Sequence, residues 1–186
     1  MIITRLFVSA EITNKERVAA AQENIFIQAG SDSSKLKKVE KQNLHFTLTY
    51  IGDVDETLLE RIKTNFSEIK FTSFKFNYGN IGGFPNSNHA RIVWLGVDQD
   101  GQKNISKLWQ LVSEKLVNFV KKDDNPFIPH ITLFRLRNGS INLDTLISNH
   151  AYATGISDRI DHLTVKQSTL TPLGPRYTDI ITMTSK

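Results

Sequence analysis

The stretch Leu44-His45-Phe46-Thr47-Leu48-Thr49 (residues 44–49) alternates polar and apolar side chains. A second stretch, Pro129-His130-Ile131-Thr132-Leu133 (residues 129–133), repeats the pattern in the other half of the chain. Alternation with a period of two is typical of a strand that is buried on one face. On such strands His45 shares a face with Thr47, and His130 shares a face with Thr132. The two stretches therefore predict two strands, each presenting an imidazole and a hydroxyl on one side.

These four side chains form a candidate catalytic site if the two strands lie side by side. Imidazole gives and takes protons near neutral pH, and hydroxyl groups can donate to phosphate oxygens. No carboxylate lies on the same face of either motif, and the spacing of the histidines matches no common metal-ligand pattern. The pattern therefore favours metal-free acid–base chemistry on a phosphate.

A third His-x-Thr sequence, at residues 162–164, shows that one copy alone is weakly specific. It lies too close to the second motif to belong to another half of the molecule, and a polar segment at 166–168 follows it. We therefore predict that His162 is a surface strand residue, and that His89 lies in a loop.

The composition limits the kind of protein. The chain has 186 residues, of which 39% are apolar and 23% are charged, as in a soluble globular protein, and we expect one domain over 1–186. No apolar run approaches the roughly 20 residues that cross a bilayer. The apolar start indicates a first strand rather than a signal peptide, so a cytoplasmic location is expected. The absence of cysteine excludes disulfides, thiolate nucleophiles and cysteine-based metal sites.

The formal net charge of +4 favours an anionic partner without identifying one. Lysines cluster just before each motif, at Lys35, Lys37, Lys38 and Lys41 and at Lys121 and Lys122. They fit two interpretations equally well, either solvated surface loops or an electrostatic funnel toward the motifs.

Hydrophobic periodicity predicts alternating strands and amphipathic helices. Helices are expected near residues 18–29, 55–70, 105–119 and 142–149. Strands are expected near 3–11, 43–51, 74–78, 90–98, 127–136, 159–170 and 176–183, with a glycine-rich loop at 79–86. Several strands follow one another through short turns, which favours an antiparallel or mixed sheet. We expect two similar lobes, each giving one motif strand to a shared cleft.

Both motifs and their flanks resemble the 2H phosphoesterase superfamily, and within it the RNA 2′,3′-cyclic phosphodiesterases, also called 2′-5′ RNA ligases. The resemblance runs nearly the whole length of the chain. Its matching segments are residues 5–10, 37–40, 43–54, 83–86, 91–97, 127–135 and 168–177. One departure lies before the second motif, where the family often has a basic residue and this chain has Asn125-Pro126-Phe127-Ile128.

The resemblance implies an α+β fold, in which two similar lobes of mostly antiparallel sheet carry helices outside and enclose a central cleft. It implies a partner RNA ending in a 2′,3′-cyclic phosphate, tRNA-like or another short RNA, which is opened to a 2′-phosphate without metal or cofactor. The reverse reaction would join RNA ends by a 2′-5′ linkage. His45 is implied as proton donor and His130 as proton acceptor, although the near symmetry of the motifs leaves that direction open.

Three further residues are candidate substrate contacts. The family tends to have arginine at the position of Arg135, but strict alternation sends this side chain away from His130, so contact with phosphate requires a β-bulge or a reach around the strand end. Phe7 is positioned to stack on a base or to belong to the core. Tyr177 is equally ambiguous.

Two alternatives remain open at this stage. The first alternative is a non-catalytic module that binds RNA or nucleotides. The second is a 2H phosphodiesterase that acts on another RNA end or on a small cyclic nucleotide. We expect a monomer, because no exposed apolar stripe remains once the core is assigned.

Overall fold

The computed structural model describes residues 3–120, 125–146, 155–172 and 174–186. Its strands are β1 (Thr4–Glu11), β2 (Leu36–Lys38), β3 (His45–Val54), β4 (Phe74–Phe84), β5 (Ile92–Val97), β6 (Ile131–Leu136), β7 (Ser157–Ile160), β8 (His162–Thr171) and β9 (Gly174–Thr184). Its α-helices are α1 (Lys15–Gln28), α2 (Glu56–Ser67), α3 (Gln99–Lys115) and α4 (Leu143–Leu146). No helix in the described part of the chain is long and apolar enough to cross a membrane.

The strands of the described residues join in one antiparallel sheet with the order β7-β4-β5-β6-β3-β1-β8-β9, and β2 pairs with β6. The two motif strands, β3 and β6, are neighbours at the centre. They pair only at Phe46 and Ile131, so the sheet is narrowest where its two halves meet. This confirms the predicted α+β class with two antiparallel halves. That residues 1–186 form a single domain stays a prediction.

The core is built by the faces that the sequence pattern marks as apolar. Phe46, Phe66 and Phe134 are among the largest fully buried side chains. Helices α2 and α3 each begin after an aspartate, because its side chain caps a free backbone N–H. Asp55 accepts from the Leu58 N–H at the start of α2, and Asp98 accepts from the Gly101 N–H at the start of α3.

One expectation for local structure is wrong. Residues 79–84, predicted as a loop, continue β4, because a glycine there allows an aromatic ring to lie against the backbone. A Cβ atom on Gly82 would lie 2.2 Å from the Trp94 ring. Glycine thus serves close packing at this position rather than a turn.

Two other boundaries differ from the prediction. Strand β6 begins at Ile131 rather than at 127, so His130 is the last residue of the connection before the strand. Of the helix predicted at 142–149, α4 accounts for 143–146 and the rest lies outside the described residues.

A buried carboxylate ties the beginning of α1 to the far edge of the sheet. Asp158 on β7 is 4% exposed and accepts hydrogen bonds from the backbone N–H groups of Thr13 and Asn14, both at 3.0 Å. The Tyr78 hydroxyl on β4 donates to the same carboxylate at 2.7 Å. One side chain therefore satisfies three donors from two separate segments.

Candidate active site

A cleft of about 1480 Å³ opens over the junction of the two halves of the sheet. The four motif side chains, His45, Thr47, His130 and Thr132, all line it. The predicted convergence of the two motifs on one cavity is therefore seen in the structure.

The β3–β6 register explains the convergence. With Phe46 opposite Ile131, the antiparallel ladder places His45 opposite Thr132 and Thr47 opposite His130. Phe46 and Ile131 are fully buried on the other face, so the four polar side chains share the open face. The two histidines are diagonal neighbours, a relation that puts Cβ atoms about 7–8 Å apart in antiparallel sheets.

Both imidazoles are held in the same way. Nδ1 of His45 lies 2.7 Å from the Asn43 carbonyl oxygen, and Nδ1 of His130 lies 2.7 Å from the Ile128 carbonyl oxygen. A carbonyl oxygen only accepts, so Nδ1 carries the hydrogen in each ring. The reactive Nε2 of both rings is thereby left to face other partners. For His45 that partner is the Thr47 hydroxyl, 3.0 Å away.

Burial is the main influence on the protonation of both rings. It lowers the pKa of His45 to about 4, although the Glu11 carboxylate and the Asn43 carbonyl act in the opposite direction. Burial also lowers the pKa of His130, where the bond to the Ile128 carbonyl opposes it and the Arg135 guanidinium adds to it. Both histidines are therefore neutral at pH 7 before an anion enters the cleft.

Aromatic side chains support the two rings. The Phe7 ring stacks on His45 with centroids 5.2 Å apart, and the Tyr177 ring meets His45 edge-on at 5.6 Å. Phe84 meets the His130 ring edge-on at 4.9 Å. These contacts restrict the rotation of imidazoles that are already fixed by their Nδ1 hydrogen bonds.

Comparisons with known proteins point to one family. Residues 13–94 match the family model described as LigT like Phosphoesterase. The RNA 2′,3′-cyclic phosphodiesterase of Archaeoglobus fulgidus is 32% identical over 178 residues, which cover 95% of this chain and 97% of the relative. The enzyme of the same name from Methanocaldococcus jannaschii is 32% identical over 177 residues, with coverages of 93% and 96%.

The chain belongs to the LigT-like phosphoesterase family.

Solved structures share the fold of this phosphoesterase. A Thermus thermophilus protein of known crystal structure has a TM-score of 0.77 at 20% identity, with 97% of each chain covered. Escherichia coli LigT complexed with 3′-AMP has a TM-score of 0.72 at 19% identity, with 99% of each chain covered. The fold and the class of enzyme that the sequence predicts are thus confirmed.

The phosphoesterase has a β-bulge that brings Arg135 to the cleft. Between two consecutive residue pairs of the β5–β6 ladder, β5 moves by one residue whereas β6 moves by two, between Thr132 and Phe134. Leu133 and Phe134 are consecutive and both fully buried, so the alternation shifts by one position. Arg135 returns to the open face and lines the cleft with His130. A bulge that brings Arg135 within reach of a bound phosphate is therefore present, while the contact itself stays a prediction.

Phe7 and Tyr177 differ in how far a substrate can reach them. Phe7 is 3% exposed and covered by neighbouring rings, including Tyr177 at 4.9 Å, which favours packing over stacking on a base. Tyr177 is only partly buried and lines the cleft. Sequence reasoning missed Tyr50, which is 66% exposed on the same rim, because nothing in the β3 pattern sets it apart.

Some lysines before the first motif fit the interpretation as solvated surface residues, and others fit the interpretation as an electrostatic funnel. Lys35, Lys38 and Lys41 form surface ion pairs with Asp32, Glu23 and Glu16 respectively. Lys37 lines the cleft, as does Lys38. Lys121 and Lys122 lie outside the described residues.

His89 and His162 do not line the cleft, and His150 lies outside the described residues. His162 begins β8 with 43% of its side chain exposed, beside Asp161, and His89 ends a short 3₁₀ turn. Within the described ranges, no cluster of three or more His, Cys, Asp or Glu residues is arranged to hold a metal ion.

Proposed function

We propose that this phosphoesterase hydrolyses RNA ends that carry a 2′,3′-cyclic phosphate and leaves a 2′-phosphate. The observation that carries the proposal is the matched pair of imidazoles, each held through Nδ1 with Nε2 on the cleft side, on one face of two adjoining strands. The names of the A. fulgidus and M. jannaschii relatives support the choice of substrate.

The reaction needs one proton acceptor and one proton donor on opposite sides of phosphorus. Nε2 of His130 takes a proton from water as the water oxygen bonds to phosphorus. The bond from phosphorus to the ribose O3′ breaks, and His45 gives its Nε2 proton to O3′. The 2′-phosphate remains on the ribose, and the two histidines exchange protons with solvent to restore the starting state. Each proton transfer typically contributes about 10²–10⁴-fold to the rate.

The threonine hydroxyls stabilise the charge that develops on the phosphoryl oxygens. When His45 is neutral, Thr47 donates to its Nε2 across 3.0 Å. Once His45 is protonated, its Nε2 can no longer accept, and the Thr47 hydrogen is released to a phosphate oxygen. Thr132 faces the same cavity and provides a donor from the second strand.

The same geometry also supports ligation of two RNA ends, which is the reverse of cleaving a 2′-5′ linkage to a cyclic phosphate. When the 5′-hydroxyl of a second RNA end replaces water, His130 takes the hydroxyl proton and His45 protonates O3′. The product is a 2′-5′ phosphodiester. Monomeric state and cytoplasmic location stay predictions.

The proposed function is tested with a short RNA that ends in a 2′,3′-cyclic phosphate, with ³¹P NMR used to identify the product. The expected product is the 2′-phosphate. A 3′-phosphate product would contradict the assigned leaving oxygen. Turnover of adenosine 2′,3′-cyclic phosphate but not of RNA would favour a small cyclic nucleotide, and binding without turnover would favour a binding module.

We predict that hydrolysis persists in 10 mM EDTA after overnight dialysis, because protons and hydroxyl groups supply all the steps above. The rate should remain within about twofold of the untreated enzyme. Loss of activity in EDTA, followed by recovery with one divalent ion, would contradict metal-independent catalysis.

We also predict that kcat/KM is highest below pH 6.5. This parameter reports the free enzyme, in which burial lowers the pKa of both histidines, that of His45 to about 4. Protonated His45 is therefore lost as pH rises above about 4, and neutral His130 is gained as pH rises through a pKa that lies below 6.5. The basic limb of kcat should lie at higher pH, because a bound phosphate stabilises the imidazolium. A kcat/KM maximum well above pH 7 would contradict these assignments.

Replacing Arg135 with alanine should weaken the handling of phosphate. We expect kcat/KM to fall roughly 10- to 100-fold, since hydrogen bonds to a charged group are worth about 1.5–3 kcal/mol. Lysine should recover part of the loss, because it keeps the charge and lacks the two-pronged geometry. Arg137→Ala removes an equal charge two residues away, outside the cleft lining, and should leave kcat/KM unchanged. Equal effects of the two alanine variants would contradict a specific contact.

A further inference from the structure

Strand β1 places a buried carboxylate beside the proposed proton donor. In the β1–β3 pairing, Glu11 is the direct partner of His45, and Ser9 is the direct partner of Thr47. Direct partners point to the same face of a sheet, with Cβ atoms about 4.5–5.5 Å apart. Only 19% of the Glu11 side chain is exposed. A carboxylate therefore lies next to the His45 imidazole on the cleft side of the sheet.

Three donors fix that carboxylate in place. The Ser9 hydroxyl donates to it at 2.7 Å, and the ammonium groups of Lys15 and Lys166 each lie 3.2 Å from one of its oxygens. Burial by itself raises the pKa of Glu11, but these partners outweigh it, so the net pKa lies below the ordinary value. Glu11 is therefore ionised at neutral pH.

The two histidines differ in the fixed charges around them. His45 has Glu11 as its strongest charged neighbour, which favours a protonated ring. The charge acting on His130 from the described residues is the Arg135 guanidinium, which disfavours a protonated ring. The sequence motifs are nearly symmetric, whereas these surroundings are not.

We propose that Glu11 is a positioning residue for His45: its fixed carboxylate stabilises the imidazolium form that His45 needs in order to act as the proton donor. The proposal rests on the function given above, in which both histidines form the acid–base pair.

The other groups packed around His45 do not cancel this effect. Lys15 reaches the site from α1 and Lys166 from β8, and both weaken the imidazolium. Lys166 divides its charge between Glu11 and Asp179 of β9, and Lys15 also donates to the Gln42 carbonyl. Of the charges on His45, Glu11 has the largest effect.

The decisive experiment is an NMR titration of the His45 and His130 imidazole protons in the full-length protein and in Glu11→Gln. Inorganic phosphate is present to raise both midpoints into an accessible range. We expect the His45 midpoint to fall by about one pH unit in Glu11→Gln and the His130 midpoint to stay unchanged. The basic limb of the kcat profile should move down with His45, and kcat at pH 7 should drop about tenfold.

Two further variants separate this effect from a change in packing. Asp179→Asn removes the same charge from the other side of Lys166, away from His45, and should shift the His45 midpoint much less. Lys15→Gln removes an opposing charge from a side chain that is 27% exposed, so it should fold normally and raise the His45 midpoint. A merely structural role for Glu11 does not produce shifts of opposite sign.

An unchanged His45 midpoint in both Glu11→Gln and Lys15→Gln would overturn the proposal. If Glu11→Gln fails to fold, the Lys15→Gln shift decides alone. The proposed function fails by a different result, namely turnover that survives His45→Ala.

Discussion

Replacing either His45 or His130 with alanine is expected to lower kcat by about 10²–10⁴-fold while the protein remains folded. Each ring provides one of the two proton transfers, and among the described residues no other imidazole lines the cleft. The double variant should lose little more than the worse single variant, because the pair acts as a unit and its effects are not additive.

His162→Ala is the matched control for this prediction. It removes an imidazole from the third His-x-Thr sequence, which lies outside the cleft lining, and it should leave kcat unchanged. Thermal melts of all three variants should stay close to that of the parent, since His45 and His130 are only partly buried. A histidine variant that folds and retains more than a tenth of the parent kcat would contradict its assigned role.

Replacing Asp158 with asparagine is expected to be the most destabilising single change of a polar side chain proposed here. The amide keeps the shape of the side chain. However, an NH₂ group replaces one oxygen that accepts hydrogen bonds in the parent protein. Groups on Thr13, Asn14 and Tyr78 point at the two oxygens, so at least one loses its acceptor. We expect unfolding free energy to fall by about 2–3 kcal/mol, which corresponds to a Tm lower by about 5–10 °C.

Two controls locate the cause of that loss. Asp53→Asn makes the same change in an ion pair with Arg5 whose side chains are about half exposed, and it should lower the Tm much less, because exposed ion pairs contribute little to stability. Tyr78→Phe removes a single donor and leaves Asp158 with its backbone partners, so it should cost about 1 kcal/mol. Equal melting temperatures for Asp158→Asn and Asp53→Asn would contradict the anchoring role.

The centre of the site could be predicted from sequence because it depends on local periodicity. Alternation alone places His45 with Thr47 and His130 with Thr132, and the burial of Phe46 and Ile131 follows from the same pattern. Local patterns also indicated helices α2 and α3, whose buried residues follow the predicted apolar spacing.

Features that arise from strand pairing could not be predicted in this way. The bulge at Leu133 exists only in the register between β5 and β6, and without it Arg135 would point away from the cleft. Glu11 shows no distinguishing pattern in β1, because its partner is chosen by the β1–β3 register. The continuation of β4 past Gly82 likewise depends on the Trp94 ring packed against that glycine.

The central claim is that both imidazoles face one phosphoryl group. The most direct measurement follows the Nε2 resonances of His45 and His130 by ¹⁵N NMR as adenosine 2′-phosphate is added. Both resonances are expected to shift together, with one equivalent of adenosine 2′-phosphate bound and the same dissociation constant for each ring. A shift of only one ring, or two shifts with different stoichiometries, would contradict it.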